Sequence, residues 1–258
     1  MERELIIVND ISLAVLLRNT LEASGKRDSR FKFSDYRKFT KEELATITKL
    51  KLENNSFEDI SVLEYCFNLK ELEIRSANAS KINTNFSSEA KFNYLGKKNK
   101  ITDYSVISKL KNLQFLTIEF EDNLETLDLA GLEKLCSLTL SQNQHLTEVK
   151  GLDTLTGLLE IYLVRNGMSH PFDLPRLMEG QLSDVVLDFD LYPILKSKYP
   201  DLTNFMKKKS GDGCTCRWAE NIGDIRINQI STDRMEIMDK KSQEILESII
   251  GPSYSDVE

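Results

Sequence analysis

The sequence predicts an α/β solenoid. Short parallel strands stack into one sheet on a concave face, with a helical cap at the N-terminus and an α+β cap at the C-terminus. Three observations lead there. An apolar frame of the form Leu-x-x-Leu-x-Leu returns about every 22 residues through the middle of the chain. The Leu-x-Leu part alternates with the period of a strand, not a helix. Both ends lack the frame and carry helix signals instead, as expected where a stacked core has to be covered.

The frame starts at Ile47-xx-Leu50-x-Leu52-xx-Asn55-x-Phe57-xx-Ile60-xx-Leu63 and returns 22 residues later as Leu69-xx-Leu72-x-Ile74. A degenerate third copy has Lys91 where Leu is expected, then Tyr94, Gly96, Asn99, Ile101, Tyr104 and Ile107. Leu113-xx-Leu116-x-Ile118 and Leu135-xx-Leu138-x-Leu140-xx-Asn143 restore it. Leu158-xx-Ile161-x-Leu163-xx-Asn166 and Leu182-xx-Val185-x-Leu187-xx-Asp190 follow at steps of 23 and 24, for seven copies in all. Leu72, Leu116, Leu138 and Leu163 are therefore expected to be buried. One coil cannot bury its leucines alone, but stacked coils share a continuous core. The Asn at the turn, where present, is placed to satisfy backbone groups where the strand ends and the chain bends.

The run Leu50-Lys-Leu52-Glu-Asn-Asn55-Ser-Phe57-Glu-Asp-Ile60-Ser-Val-Leu63, with Asn99-Lys-Ile101-Thr-Asp103, resembles the bacterial leucine-rich repeat family, most closely its internalin-like 22-residue type. The likeness covers about residues 40–190. It implies a horseshoe whose concave parallel sheet binds proteins, and a surface role. The motif is specific for the fold and nearly silent on function.

At the N-terminus, Leu13, Leu16, Leu17 and Leu21 lie on one face of a helix over residues 12–21, with Gly25 as a stop. Thr40-Lys-Glu-Glu43 is a capping box for a second short helix leading into Ile47. After Asp190 the frame fades: residues 191–205, with Pro193 and Pro200, read as short helix plus loop, and residues 206–222 as a Lys/Gly/Cys-rich connection. Ile225-x-Ile227 and Met235-x-Ile237 suggest a hairpin, and residues 242–250 a closing helix ended by Gly251-Pro252. The expected units are thus an N-terminal helical cap (1–46), the repeats (47–205) and a C-terminal cap (206–258).

The net charge of −7 and pI near 5.2 argue against general nucleic-acid binding, which needs basic surface to displace counterions. No apolar run reaches the length of a membrane helix. The Leu/Ile/Val-rich stretch 5–17 follows Glu2, Arg3 and Glu4 and is broken by Asn9, Asp10 and Ser12, unlike a signal peptide. The expected location is therefore cytoplasmic, the alternative being export without a recognisable signal peptide. The N-x-S sequons at Asn54, Asn78 and Asn85 have meaning only on a secretory route.

No phosphate-loop, dinucleotide, zinc-protease or nucleophile-elbow motif is present. Cys66 and Cys136 read as small buried hydrophobes; Cys214-Thr-Cys216 lies in a turn-like stretch and is at most half a zinc site. His145 falls in a repeat loop and His170 before Pro171, neither beside a partner that would make it a base. Asp188-Phe-Asp190 resembles a metal carboxylate pair, but the frame gives Asp190 the turn and points Asp188 outward. No enzyme activity, cofactor or metal is expected.

The residues flanking each inward pair face out from the sheet. The central column runs Lys51, Glu73, Leu95, Thr117, Thr139, Tyr162 and Val186. On one side stand Lys49, Glu71, Asn93, Phe115, Ser137, Glu160 and Asp184, and on the other Glu53, Arg75, Lys97, Glu119, Ser141, Val164 and Asp188. The first copies pair charges across strands. From copy four on, Phe115, Thr117, Thr139, Tyr162, Val164 and Val186 stand among Glu119, Glu160, Asp184 and Asp188 with no exposed base. Aromatic and aliphatic residues ringed by charge suit a protein interface, although Val164 and Val186 equally suit packing under the C-terminal cap. The function expected is a non-enzymatic module binding a protein partner with a basic surface, a specific form being an inhibitor or immunity protein. The alternatives are an exported bacterial effector or adhesin, and an enzyme or regulatory module in residues 206–258.

Overall fold

A computed structural model describes residues 5–27, 36–77, 97–169, 172–173, 182–188 and 191–202, and the backbone of 215–219. Strand β1 (Leu5–Ile7) pairs antiparallel with β2 (Lys38–Thr40), with helix α1 (Ile11–Ala23) between them and α2 (Lys41–Ala45) directly after. One sheet then collects β3 (Lys49–Leu52), β4 (Glu71–Arg75), β5 (Phe115–Glu119), β7 (Ser137–Ser141), β9 (Glu160–Val164), β10 (Asp184–Asp188) and β11 (Thr215–Ala219) in that spatial order. Every neighbouring pair in it is parallel. On the return segments, β6 (Thr126–Asp128) pairs parallel with β8 (Glu148–Lys150). Other coils use 3₁₀ turns at Ser61–Tyr65, Ser105–Lys109 and Leu152–Thr154. Helix α3 (Leu191–Lys198) follows β10. The chain is a parallel β-solenoid with helices towards both ends.

The inward pairs are in register across the sheet: Leu50 with Leu72, Leu116 and Leu138, and onward to Ile161 and Val185. The four leucines expected inside, Leu72, Leu116, Leu138 and Leu163, are at most 1 % exposed. They belong to one apolar core running from Val8 to Leu202.

Three expectations need correction. The third copy adds no strand between the second and fourth, because β4 hydrogen-bonds directly to β5, pairing Glu71 with Phe115 two repeat lengths on. Lys91, Asn93, Tyr94, Leu95 and Gly96 lie outside the described residues, and Lys97 is in no strand. Asn99, Ile101, Tyr104 and Ile107 instead form the return half of the coil that β4 opens, so one repeat length is inserted inside that coil. Second, the stretch expected as a connection holds β11, where Cys216 and Trp218 take the register positions of Val185 and Leu187. Cys216 is thus in a strand, not a turn. Third, β1 and β2 were not expected; their ladder is too short to show a period. Cys214, the hairpin 225–237 and the helix 242–250 lie outside the described residues.

One carboxylate bridges the N-terminal unit and the first coil. Asp10 caps α1 through a 2.8 Å bond from Leu13 N–H to Oδ1. Its Oδ2 accepts from the N–H groups of Glu58 and Asp59 at 2.6 and 3.2 Å. At the far end Gly25 turns left-handed (φ 67°), and buried Arg27 donates to the Lys38 carbonyl at 2.8 Å while lying over the Phe39 ring. Thr40 and Glu43 form the expected capping box on α2. Asp10→Ala is expected to cost about 2 kcal/mol in urea unfolding, since it removes a helix cap and two bonds to the next unit together. A loss no larger than for Glu58→Ala would contradict that joining role.

Candidate functional site

Two sets of side chains define the surface. The first is a buried polar ladder where each strand ends. The chain leaves its strands through left-handed residues: Asn54 (φ 62°), Phe120 (60°), Gln142 (62°) and Arg165 (56°). That conformation is unfavourable for residues other than glycine, and it exposes backbone groups that the ladder satisfies. Asn99 accepts from Phe57 N–H at 3.2 Å, Asn143 from Glu121 N–H at 3.0 Å, and Asn166 from Asn143 N–H at 3.3 Å. The Asn143 amide donates to the Ile118 carbonyl at 2.9 Å and that of Asn166 to the Leu140 carbonyl at 2.8 Å. Asp188 continues the series by accepting from Arg165 N–H. It is buried rather than pointing out, because a carboxylate takes up that orphaned donor, and it therefore leaves the expected partner-binding set.

Glu121 occupies the asparagine place between Asn99 and Asn143, and it is 1 % exposed. Its oxygens accept from the Asn99 amide and the Tyr104 hydroxyl, both at 2.7 Å, and from Ser76. Since Ser76 also accepts from Asn99 N–H at 2.9 Å, Glu121 ties together both ends of the inserted repeat length. Burial pushes its carboxyl above the ordinary range. The three hydrogen bonds, which favour the ionised form, offset this only in part, and Asp122 adds to the rise. The proton is held more tightly in the folded than in the unfolded chain. This contribution to stability is therefore present below the ordinary glutamate pKa and is lost as pH rises through the raised one. Lowering the pH from neutral is expected to raise the melting temperature of wild type relative to Glu121→Gln. A difference that stays constant with pH would contradict it.

The second set is the outward face of the sheet. Lys49 pairs with Glu71, Lys51 with Glu73, and Arg75 with Glu73 and Glu119. Burial pulls the Glu73 carboxyl up, but the bond from Lys51 and the charges of Arg75, Lys51 and Lys49 outweigh it and hold the group low. The Arg75–Glu119 pair, at 3.0 Å, shows that the acidic half has a base beside it after all. From β5 on, Phe115 and Glu160 are exposed; Thr117, Glu119, Thr139, Tyr162, Val164 and Asp184 are half-buried. Val186, expected outward, is fully buried. The Tyr162 hydroxyl donates to Asp184 on the neighbouring strand, which holds its ring in place. Phe115, 47 % exposed, is the large apolar side chain left standing on this face among the described residues.

Chemistry finds few footholds. Among the described residues no group of three or more His, Cys, Asp or Glu is arranged to hold a metal. A recess of about 870 Å³ is lined by Asp103, Asp122, Glu125, Asp128 and the exposed His145, with no nucleophile–base pair. Cys66 is buried, and burial pushes its thiol up to about 12, so it is not a thiolate at neutral pH. His170, Cys214 and Asp190 lie outside the described residues. Among those residues no helix is long and apolar enough to cross a membrane.

The repeat period, the inward pairs and the ladder define a repeat solenoid. No family model and no curated protein matches the chain. Solved structures do. An internalin (InlF) of Listeria monocytogenes is 26 % identical, over 71 % of this chain and 50 % of that one, with a TM-score of 0.41. Internalin C2 of the same organism is 20 % identical, over 71 % and 85 %, at 0.34. The functional domain of its InlJ is 16 % identical, over 89 % and 46 %, at 0.35. The chain thus spans about half the length of the first and third. The expectation of a cytoplasmic location finds no support in these matches and is withdrawn.

Proposed function

We propose that this protein is a non-enzymatic binding module that takes a protein partner on the outward face of its sheet, and that it acts outside the cytoplasm as an effector or adhesin. The observation that carries the binding reading is the face itself. Parallel strands hold Phe115, Thr117, Thr139, Tyr162 and Glu160 in fixed register, with Phe115 exposed and the Tyr162 ring oriented by Asp184. Rigid aromatic residues in a polar surround supply binding energy at low entropic cost. The similarity to internalins supports export over an intracellular inhibitor or immunity role.

Two experiments test it. Fractionation of the native host should recover the protein outside the cell; recovery in the cytosol alone would sink the export part. For the binding part, the partner is first captured from the host's surroundings. Tyr162→Ala should then weaken binding by about 1–3 kcal/mol while barely moving the unfolding midpoint. Undiminished binding with much earlier unfolding would make Tyr162 a cross-strand brace only.

A further inference from the structure

Asn166-Gly167 is the one Asn-Gly step in the sequence. Two separate demands of the fold put it there. The ladder needs an amide at 166: its nitrogen donates to the Leu140 carbonyl at 2.8 Å, and its oxygen accepts from Asn143 N–H at 3.3 Å and from the Asn143 amide at 3.1 Å. Close packing needs a residue without a Cβ at 167, because a Cβ there would collide with the Gln144 carbonyl. Asparagine is a labile residue, most of all before glycine, which hinders least the attack of its own backbone nitrogen on the asparagine side chain. Both residues are half-buried, within reach of water. The nucleophile is engaged, however: Gly167 N–H donates to the Asn143 carbonyl at 3.2 Å. The two donors on Asn166 Oδ1 polarise the carbonyl under attack, as an oxyanion hole does. Asn143 thus prepares the electrophile and withholds the nucleophile.

We propose that Asn166-Gly167 is a self-modification site, a latched succinimide-forming pair whose deamidation irreversibly loosens the C-terminal coils. When the ladder opens locally, Gly167 N–H leaves the Asn143 carbonyl and gives its proton to a base. The freed nitrogen attacks Asn166 Cγ. A C–N bond forms, the bond from Cγ to the side-chain nitrogen breaks, and that nitrogen leaves as ammonia, taking the proton back. Water then opens the imide ring at either carbonyl and leaves aspartate or isoaspartate. The net change is amide plus water to acid plus ammonia, with no oxidant or reductant. Neither product restores the ladder. An ionised carboxylate cannot donate to the Leu140 carbonyl, and it adds a negative charge one ladder step from Asp188. Isoaspartate also lengthens the main chain by a carbon directly after the left-handed turn at Arg165. Each product therefore favours the opened ladder from which it formed.

The full-length protein is incubated in mildly alkaline buffer, and acid at position 166 is quantified over time by peptide mapping and mass spectrometry. Folded wild type should react there at least about tenfold more slowly than the same chain in urea. Asn143→Ala deletes one bond to Asn166 and the side-chain ties that hold residue 143 in place. It should speed the reaction about tenfold under folding conditions. Asp10→Ala, destabilised at the other end of the solenoid, should leave the rate unchanged, because local opening and not global unfolding frees the pair. Equal rates in folded and unfolded wild type would overturn the latch, as would equal acceleration by Asp10→Ala and Asn143→Ala. If Asn143→Ala does not fold, Asp188→Ala, which frees Arg165 N–H, takes its place with the same expectation. Deamidated protein, separated from the unreacted form by its charge, should unfold at a lower urea concentration. An unchanged midpoint would overturn the loosening.

Discussion

Truncating Leu138 to alanine is expected to destabilise the protein by about 2–5 kcal/mol. Leu138 is fully buried on the central strand β7, with Leu116 on one side and Ile161 on the other in the same register. Its methyl groups fill space that the coils on both sides share. A stack of parallel strands cannot close that gap without shifting both neighbours, so the lost transfer energy and the cavity add. The measurement is urea unfolding at fixed pH, comparing midpoints at equal slope. A change below about 1 kcal/mol, of the size seen at surface positions, would mean that the register assigned to the inward pairs is wrong. The outward face derived from it would fall too.

Asn143→Ala is expected to cost about 3 kcal/mol by the same measurement. Asn143 is fully buried and serves two backbone groups of the preceding coil: it accepts from Glu121 N–H and donates to the Ile118 carbonyl. Alanine leaves both unpaired away from water, and the left-handed turn at Phe120 loses the bonds that hold it. Asn143→Asp is the sharper variant. An ionised carboxylate still accepts from Glu121 N–H but no longer donates to Ile118 or Asn166, and it adds a second buried charge near Glu121. It should destabilise more than alanine at neutral pH and recover as the pH falls. An Asp variant as stable as wild type would show that the ladder does not depend on the amide donor.

The inward half of this architecture was legible because its period is long and its residues are large. Leu50, Leu72, Leu116 and Leu138 repeat at intervals that only stacked coils explain, and they are buried in register. The polar half was legible in principle. Asn99, Glu121 and Asn143 stand 22 residues apart, but a glutamate in an asparagine series does not look like a ladder member until its donors are known. The inserted repeat length was misread because Asn99, Ile101 and Tyr104 keep the frame of a coil while contributing only its return half. On the outward face, strand alternation misplaces Val186 and Asp188, which are buried, and it is silent on the company the other residues keep. It does not reveal that Arg75 reaches Glu119, that Tyr162 is held by Asp184, or that Val186 is buried, because these depend on distances between coils. A second amide series, with Asn68 donating to the Ala45 carbonyl at 2.9 Å and Asn112 to that of Phe67 at 2.8 Å, is also visible as an Asn just before an inward leucine.

Carbodiimide labelling of surface carboxylates tests directly whether a protein partner sits on the outward face of the sheet. The protein would be labelled alone and with its captured partner, and each site quantified by mass spectrometry. Glu160 is exposed on β9 beside Tyr162, whereas Glu58, Glu125 and Glu148 are exposed on the return segments. Binding on the sheet face should suppress labelling of Glu160 and leave Glu125 and Glu148 as reactive as in the free protein. Suppression at Glu125 and Glu148 with Glu160 unchanged would place the partner on the return segments and contradict the account.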